Sequence, residues 1–216
     1  MKLIHSIGPN PRVVRMFLAE KGITLPTEEI DILAGDNRKE DYLARNPGGQ
    51  SPALELDDGT IVAETAVICE YLEEKHPDPV LIGRTAEERA VARTWQRRVE
   101  LGITEHMYNG FRYSEGHDMF KNRFHCIPGA AADLKVAAQK KLAWLDALMG
   151  DKPFICGDSL RFVDITLYCC MDFVKDVGQP LNPALIKVHA WFQRMDARPS
   201  AVSSLHATSA EARMRG

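Results

Sequence analysis

Two short pairs of residues carry the chemistry most visible in this chain, Ser51-Pro52 and Glu64-Thr65. The first places a proline before a strand-like run, the second an acid and a hydroxyl before a helix-like run. Those are the parts needed to hold a small peptide by its backbone and its carboxylate. A helix N-terminus offers unpaired N–H groups and partial positive charge to a carboxylate, and Glu64 can accept from an ammonium. Each pair taken alone has a plainer reading, Ser51-Pro52 as an ordinary trans bond at a strand entrance and Glu64-Thr65 as a strand-end charge and a helix N-cap.

A second locus spans Ser6 to Arg12. Ser6 ends a strand-like run, Gly8-Pro9-Asn10-Pro11 forms a turn, and Arg12 and Arg15 follow in a first helical turn. Asn10 reads as the helix N-cap and Pro11 as the first helical residue. A cation there opposes the helix macrodipole unless it meets an anion, supplied by the protein or by a ligand. No Cys-x-x-Cys stands at this helix, which argues against dithiol redox chemistry, and no tyrosine or cysteine lies between Met1 and Val14.

The elements that must position these residues follow from periodicity and turn chemistry. Lys2 to Ser6 and Glu28 to Ile32 read as strands, and a helix runs from Asn10 to a stop at Gly22. A short helix is expected near Lys39 to Ala44. Pro52 to Leu56 and Thr60 to Ala63 flank Asp57-Asp58-Gly59 as a hairpin, and Thr65 to Lys75 is helical. The order is that of a small α/β unit over residues 1–76, closed by the linker 77–84 around Pro77 and Pro79. Residues 85–216 read as all-helical, with helices near Ala86 to Phe111, Ala130 to Met149, Val163 to Val177 and Pro183 to Ala197. The tail from Pro199 is small and polar, and is expected to wrap loosely or be partly disordered.

Composition narrows the function classes. The 216 residues are 45% hydrophobic and 26% charged, with a formal net charge of -3, so no broad basic field favours nucleic acid. No charged-then-apolar leader precedes Lys2 and no apolar run approaches a membrane span, so a cytoplasmic protein without membrane attachment is expected. Cys69, Cys126, Cys156, Cys169 and Cys170 show neither a disulfide framework nor paired metal-ligand spacing, and read as mostly reduced core thiols. His106 and His117 lack matched partners, so no metal is expected.

Taken together, Ser51-Pro52-Ala53-Leu54, Glu64-Thr65 entering a helix, Leu18-Ala19-Glu20-Lys21-Gly22, and Gly157-Asp158 leading to Asp164 resemble the glutathione transferase family over nearly the whole chain. The resemblance implies a thioredoxin-like α/β domain followed by an all-α domain, with glutathione as co-substrate. It implies a cis Pro52, with Ser51 pairing to the cysteinyl backbone of glutathione. Glu64 and Thr65 would take the γ-glutamyl end, Gln50, Asn37 and Lys39 the glycyl end, and Arg12 a ligand anion. The family's catalytic residue belongs in Ser6 to Arg12, where this chain departs from the usual tyrosine, serine or cysteine pattern. The Gly-Pro-Asn-Pro turn resembles a bacterial and fungal subgroup in which a helix N-terminus and polar groups of the helical domain assist the thiolate.

Ser6 and Asn10 are therefore the candidate catalytic donors. Tyr108, Arg112, Tyr113 and Ser114 are the candidates for the second substrate, expected between the domains. A thiol near pKa 8.5 must fall by about two units, which needs roughly 2.7 kcal/mol of preferential anion stabilisation. The implied activity is conjugation of glutathione to an apolar electrophile by a homodimer. Glutathione-dependent peroxide or disulfide reduction is a second reading, and a non-catalytic interaction protein on the same fold a third. In the helical domain Leu160, Asp164 and Ile165 fit the family's staple and capping box, but Arg161 stands where a serine or threonine is usual.

Overall fold

The computed structural model describes residues 1–212 and 214–216. Two compact units emerge: Met1–Leu81 together with Pro199–Gly216, and Ile82–Arg198. The first carries β1 (Lys2–His5), α1 (Pro9–Lys21), β2 (Thr27–Glu29), α2 (Glu40–Arg45), β3 (Ala53–Glu55), β4 (Ile61–Ala63), α3 (Thr65–Lys75) and α10 (Pro199–Ser203). The strand order is β2-β1-β3-β4, with β1 parallel to β2 and the other two pairings antiparallel. This is the expected α/β arrangement, with shorter strands than periodicity suggests. Leu3, Ile4, Val13, Val14, Phe17, Leu54, Ile68 and Leu72 are buried, so strands and helices share one apolar core.

Two sequence expectations are corrected in this unit. Helix α1 begins at Pro9 with Gly8 as N-cap, so Asn10 lies inside the first turn and does not cap. Gly8 sits at φ 134, a conformation that a side chain disfavours, which lets the chain turn into the helix one residue earlier than the asparagine suggests. The tail, read as loose, instead folds as α10 and packs into this unit. Arg12, fully buried, donates to the carbonyls of Ala201 at 2.9 Å and Arg215 at 3.3 Å and to Ser204 Oγ at 3.3 Å. Arg15 adds a bond to the Ser204 carbonyl at 2.8 Å. The Ala201 and Ser204 carbonyls lie at the C-terminal end of α10, where the backbone carries partial negative charge, and so meet the cations that α1 would otherwise hold against its own dipole.

The segment after α3 is clamped as well. Lys21 Nζ donates to the carbonyls of His76 at 2.7 Å and Pro79 at 2.6 Å and pairs with Glu73, which accepts from the Leu81 N–H. This buried pair holds residues 76–81 against α1 and α3, within the stretch read as the linker 77–84.

The second unit is all-helical: α4 (Ala86–Val99), α5 (Glu105–Arg112), α6 (His117–Phe120), α7 (Ala131–Met149), α8 (Phe162–Val174) and α9 (Ile186–Asp196). A π-helical turn at Glu100–Thr104 interrupts what the sequence suggests is one long helix. Every residue of α8 is buried, the pattern of a helix enclosed on all sides. Asp164, fully buried, anchors it: Oδ2 accepts from the Arg161 N–H at 2.9 Å, and Oδ1 accepts from Ile155 N–H at 3.0 Å and Trp191 Nε1 at 2.8 Å. The acid half of the capping box therefore forms. A guanidinium has no acceptor, so the Asp164 N–H turns to the Arg161 carbonyl at 3.0 Å. Arg161→Ser is expected to restore the missing hydroxyl and add about 0.5–2 kcal/mol of stability. Urea denaturation reads this directly, and an unmoved midpoint would show that the hydroxyl finds no partner.

Candidate functional site

Three chain segments converge at one end of the sheet. The β1–β3 register pairs Ile4 with Ala53, and continued outward it sets Ser6 opposite Ser51; the Ser6 and Ser51 hydroxyl oxygens are 2.9 Å apart. The β3–β4 register pairs Ala53 with Ala63, and continued outward it sets Pro52 opposite Glu64 and Ser51 opposite Thr65. Thus Ser6, Ser51-Pro52 and Glu64-Thr65, far apart in sequence, share one sheet end. Helices α1 and α3 both begin there, and neither N-terminus is capped by a side chain. At α3 the first-turn N–H groups are free, whereas at α1 Pro9 and Pro11 carry none and only the Asn10 N–H remains; together they favour an anionic ligand.

The loop that presents Ser51 is braced from beneath. Asn37 Nδ2 donates to the Gly49 carbonyl at 2.6 Å, and the Gln50 carbonyl accepts from Tyr42 Oη at 2.6 Å and Asn46 Nδ2 at 2.8 Å. Gly49, at φ 59, lies so close to Arg38, Leu43 and the Asn37 carbonyl that a side chain would collide with them. The Ser51–Pro52 bond is cis, as the resemblance implies. Tyr42 and Asn46 escaped sequence reading because each makes its contribution through a backbone carbonyl across a loop. Only the proximity of aromatic and amide side chains to Gly48-Gly49 hinted at it.

Glu64 is exposed and is the one non-glycine residue with positive φ among those described, at φ 69. A carboxylate residue in the left-handed region at the start of a helix is backbone strain concentrated at a candidate binding position. Thr65, half-buried, is the first residue of α3.

The remaining candidates divide. Asn10 is half-exposed in the first turn of α1, and its side-chain amide makes no hydrogen bond with the described residues. Ser6 is fully buried, its single hydroxyl proton shared between the Ile7 carbonyl at 3.1 Å and Ser51 Oγ, so its position is that of a brace for Ser51. Arg12 is withdrawn from the ligand-binding set, since it is fully buried against the tail. Asn37 is also buried and supports the loop from inside. Lys39 and Gln50 are exposed, with Lys39 paired to Asp36 at 2.6 Å.

In the helical unit, Arg112 is surrounded by aromatic rings, its guanidinium carbon 5.7 Å from the centroids of Tyr108, Phe120 and Phe124. Its Nη1 donates to Asn109 Oδ1 at 3.1 Å. Tyr113 is half-buried beside Phe124, and the Ser114 hydroxyl is bonded to the Gly110 carbonyl of its own turn. Tyr108 is buried, and burial raises its phenol well above the ordinary tyrosine value, so it is a neutral hydroxyl at physiological pH. Burial likewise pushes the Cys156 thiol up to about 12, which leaves it unreactive. Among the described residues no helix is long and apolar enough to cross a membrane, and no group of three or more His, Cys, Asp or Glu could hold a metal ion.

Known proteins are similar to this chain in sequence and fold. Residues 7–75 match the family described as glutathione S-transferase, N-terminal domain, and residues 128–194 match glutathione S-transferase, C-terminal domain. A crystal structure of a glutathione S-transferase domain-containing protein from Marinobacter aquaeolei is 33% identical, with a TM-score of 0.86 over 93% of this chain and 99% of that one. The Gtt2 structure from Saccharomyces cerevisiae is 28% identical, with a TM-score of 0.88 over 95% of this chain and 100% of its own. The glutathione S-transferase GstA of Escherichia coli is 29% identical over 212 residues, covering 96% of this chain and 98% of the relative.

Proposed function

The chain belongs to the glutathione S-transferase family, and from that premise we propose that it binds glutathione at the sheet end formed by Ser51, Glu64 and Thr65 and activates its thiol for conjugation to an apolar electrophile. The observation that supports this best is the convergence of a cis-proline loop with two uncapped helix N-termini. The Ser51 backbone pairs with the cysteinyl backbone, as an added strand would. The N–H groups of α3 and the Thr65 hydroxyl hold the γ-glutamyl carboxylate, and Glu64 accepts from the ammonium. Lys39 and Gln50 reach the glycyl carboxylate.

The cysteinyl sulfur then faces the start of α1. Its proton passes to solvent, and the thiolate is stabilised by the Asn10 amide and the α1 N-terminus. Ser6 acts through Ser51, as a positioning residue. The thiolate attacks the electrophile, the new carbon–sulfur bond forming as the leaving group departs with its electron pair, or as an activated double bond takes up a proton. The protein works as a cytoplasmic homodimer in detoxification.

The pH profile of kcat/KM with a chlorinated dinitrobenzene tests the assignment. Asn10→Ala should raise the kinetic pKa of bound glutathione by about one unit and cut the rate below that pKa by about tenfold. An unchanged profile would remove Asn10 from the mechanism. Activity confined to hydroperoxides and mixed disulfides would replace conjugation by reduction, and calorimetry showing no binding at millimolar glutathione would sink both.

A further inference from the structure

Arg15 lies in the second turn of α1, half-buried. Its Nη1 donates to the Ser6 carbonyl at 2.9 Å and lies 3.3 Å from His5 Nδ1, while its Nε donates to the Ser204 carbonyl at 2.8 Å. A guanidinium has donors only, so His5 Nδ1 is the acceptor in that contact and the ring proton sits on Nε2. Burial and the neighbouring Arg15 cation both hold His5 below the ordinary histidine value, which keeps the ring neutral and the contact intact at physiological pH. One planar group thus spans the end of β1, its own helix and the tail.

What the Ser6 carbonyl anchors matters for the sheet end. The Ser6 hydroxyl lies 3.1 Å from the Ile7 carbonyl and 2.9 Å from Ser51 Oγ, so fixing the Ser6–Ile7 peptide also fixes the hydroxyl that meets Ser51. The tail reaches the next residues directly. A side chain on Gly216 would come within 2.7 Å of the Gly8 backbone, and the Gly216 carbonyl accepts from the His206 N–H at 2.9 Å and Ser209 Oγ at 3.0 Å. The stretch that rests on the Gly8 turn is therefore tied back to the stretch that Arg15 holds at Ser204.

We propose that Arg15 is a positioning residue for glutathione: it transmits the hold of the tail to the Ser6 carbonyl, and Ser6 sets Ser51 for the cysteinyl backbone. This rests on the reading of the sheet end as the glutathione site. A lysine would keep the charge, but its ammonium is a point donor and cannot hold two remote carbonyls at a set spacing as the guanidinium fork does. Charge and geometry are therefore separable at this position.

Arg15→Lys, folded at the assay temperature, should bind glutathione about tenfold more weakly by calorimetry, and its KM for glutathione should rise as much while the KM for a chlorinated dinitrobenzene stays unchanged. Hydrogen exchange over residues 5–8, which needs no ligand, should quicken in the same variant. A merely structural Arg15 would lower the melting temperature and leave glutathione affinity well below it untouched. Wild-type affinity in Arg15→Lys, or unchanged exchange, would overturn this inference alone; a wild-type chain that binds no glutathione would overturn the binding reading and this one with it. Should Arg15→Lys fail to fold, His5→Phe decides. That variant keeps a ring beside His206, 5.8 Å away between centroids, and removes the acceptor that turns Nη1 toward β1. It should weaken glutathione binding about threefold, and unchanged affinity there would count against Arg15 as decisively.

Discussion

Replacing Asp164 with alanine is expected to lower the unfolding free energy by about 3–5 kcal/mol, since it orphans three donors at once, two of them buried and one half-buried. Those donors are the N–H groups of Ile155 and Arg161 and the indole of the fully buried Trp191. Each lies in a different segment, so the carboxylate ties the start of α8 to the preceding loop and to α9. Asp164→Asn keeps one acceptor oxygen and should lose about half as much. Urea denaturation measures both, and a loss under about 1 kcal/mol for the alanine variant would show that water replaces the carboxylate.

The pH dependence has a definite sign. Complete burial pushes Asp164 up to about 6, from an ordinary 3.8, despite the three N–H donors that favour the ionised form. The folded protein therefore binds the extra proton between those values. The stabilisation is fully present below the unfolded pKa and is lost as pH rises through the folded one, so the gap between wild type and Asp164→Ala should narrow from about pH 4 to about pH 6. A gap that widens over that range would mean that the hydrogen bonds outweigh burial.

The second large effect concerns Glu64. Glu64→Ala should weaken glutathione binding by about 30- to 100-fold, because a charge-assisted bond to the ligand ammonium is worth about 2–3 kcal/mol. Glu64→Gly separates ligand binding from backbone strain. Glycine accepts φ 69 at no steric penalty, so this variant should gain about 0.5–1 kcal/mol of stability while losing affinity as the alanine variant does. Calorimetry together with thermal unfolding gives both quantities. Undiminished affinity in Glu64→Gly would move the ammonium site elsewhere.

The elements that meet at this sheet end were readable in sequence, for reasons that differ by residue. Pro52 and Thr65 are legible because a proline before a strand and a hydroxyl at a helix start are local signals, decided by backbone chemistry within a few residues. Asp164 is legible because a capping acid acts only three positions from its partner. Ser6 and Arg12 were misplaced for the opposite reason. The local pattern showed a hydroxyl at a strand end and a cation in a helical first turn, and their partners, Ser51 and the tail, are remote in the chain. Asn10 resembled a cap until the positive φ of Gly8 let the helix begin earlier.

The sequence by itself determined the order of elements, the helical character of the second half, and the pairs able to hold a peptide. Hydrophobic period, turn residues and caps act over one or two turns, and the chain states them directly. Only the tertiary structure decided which polar groups stay uncommitted. Sheet register brought Ser6 against Ser51 and set Pro52 across from Glu64, and the folding of the tail onto α1 consumed Arg12 while leaving the Asn10 amide uncommitted. A side chain's availability for chemistry depends on what long-range packing has already claimed, and that is fixed when the chain closes on itself.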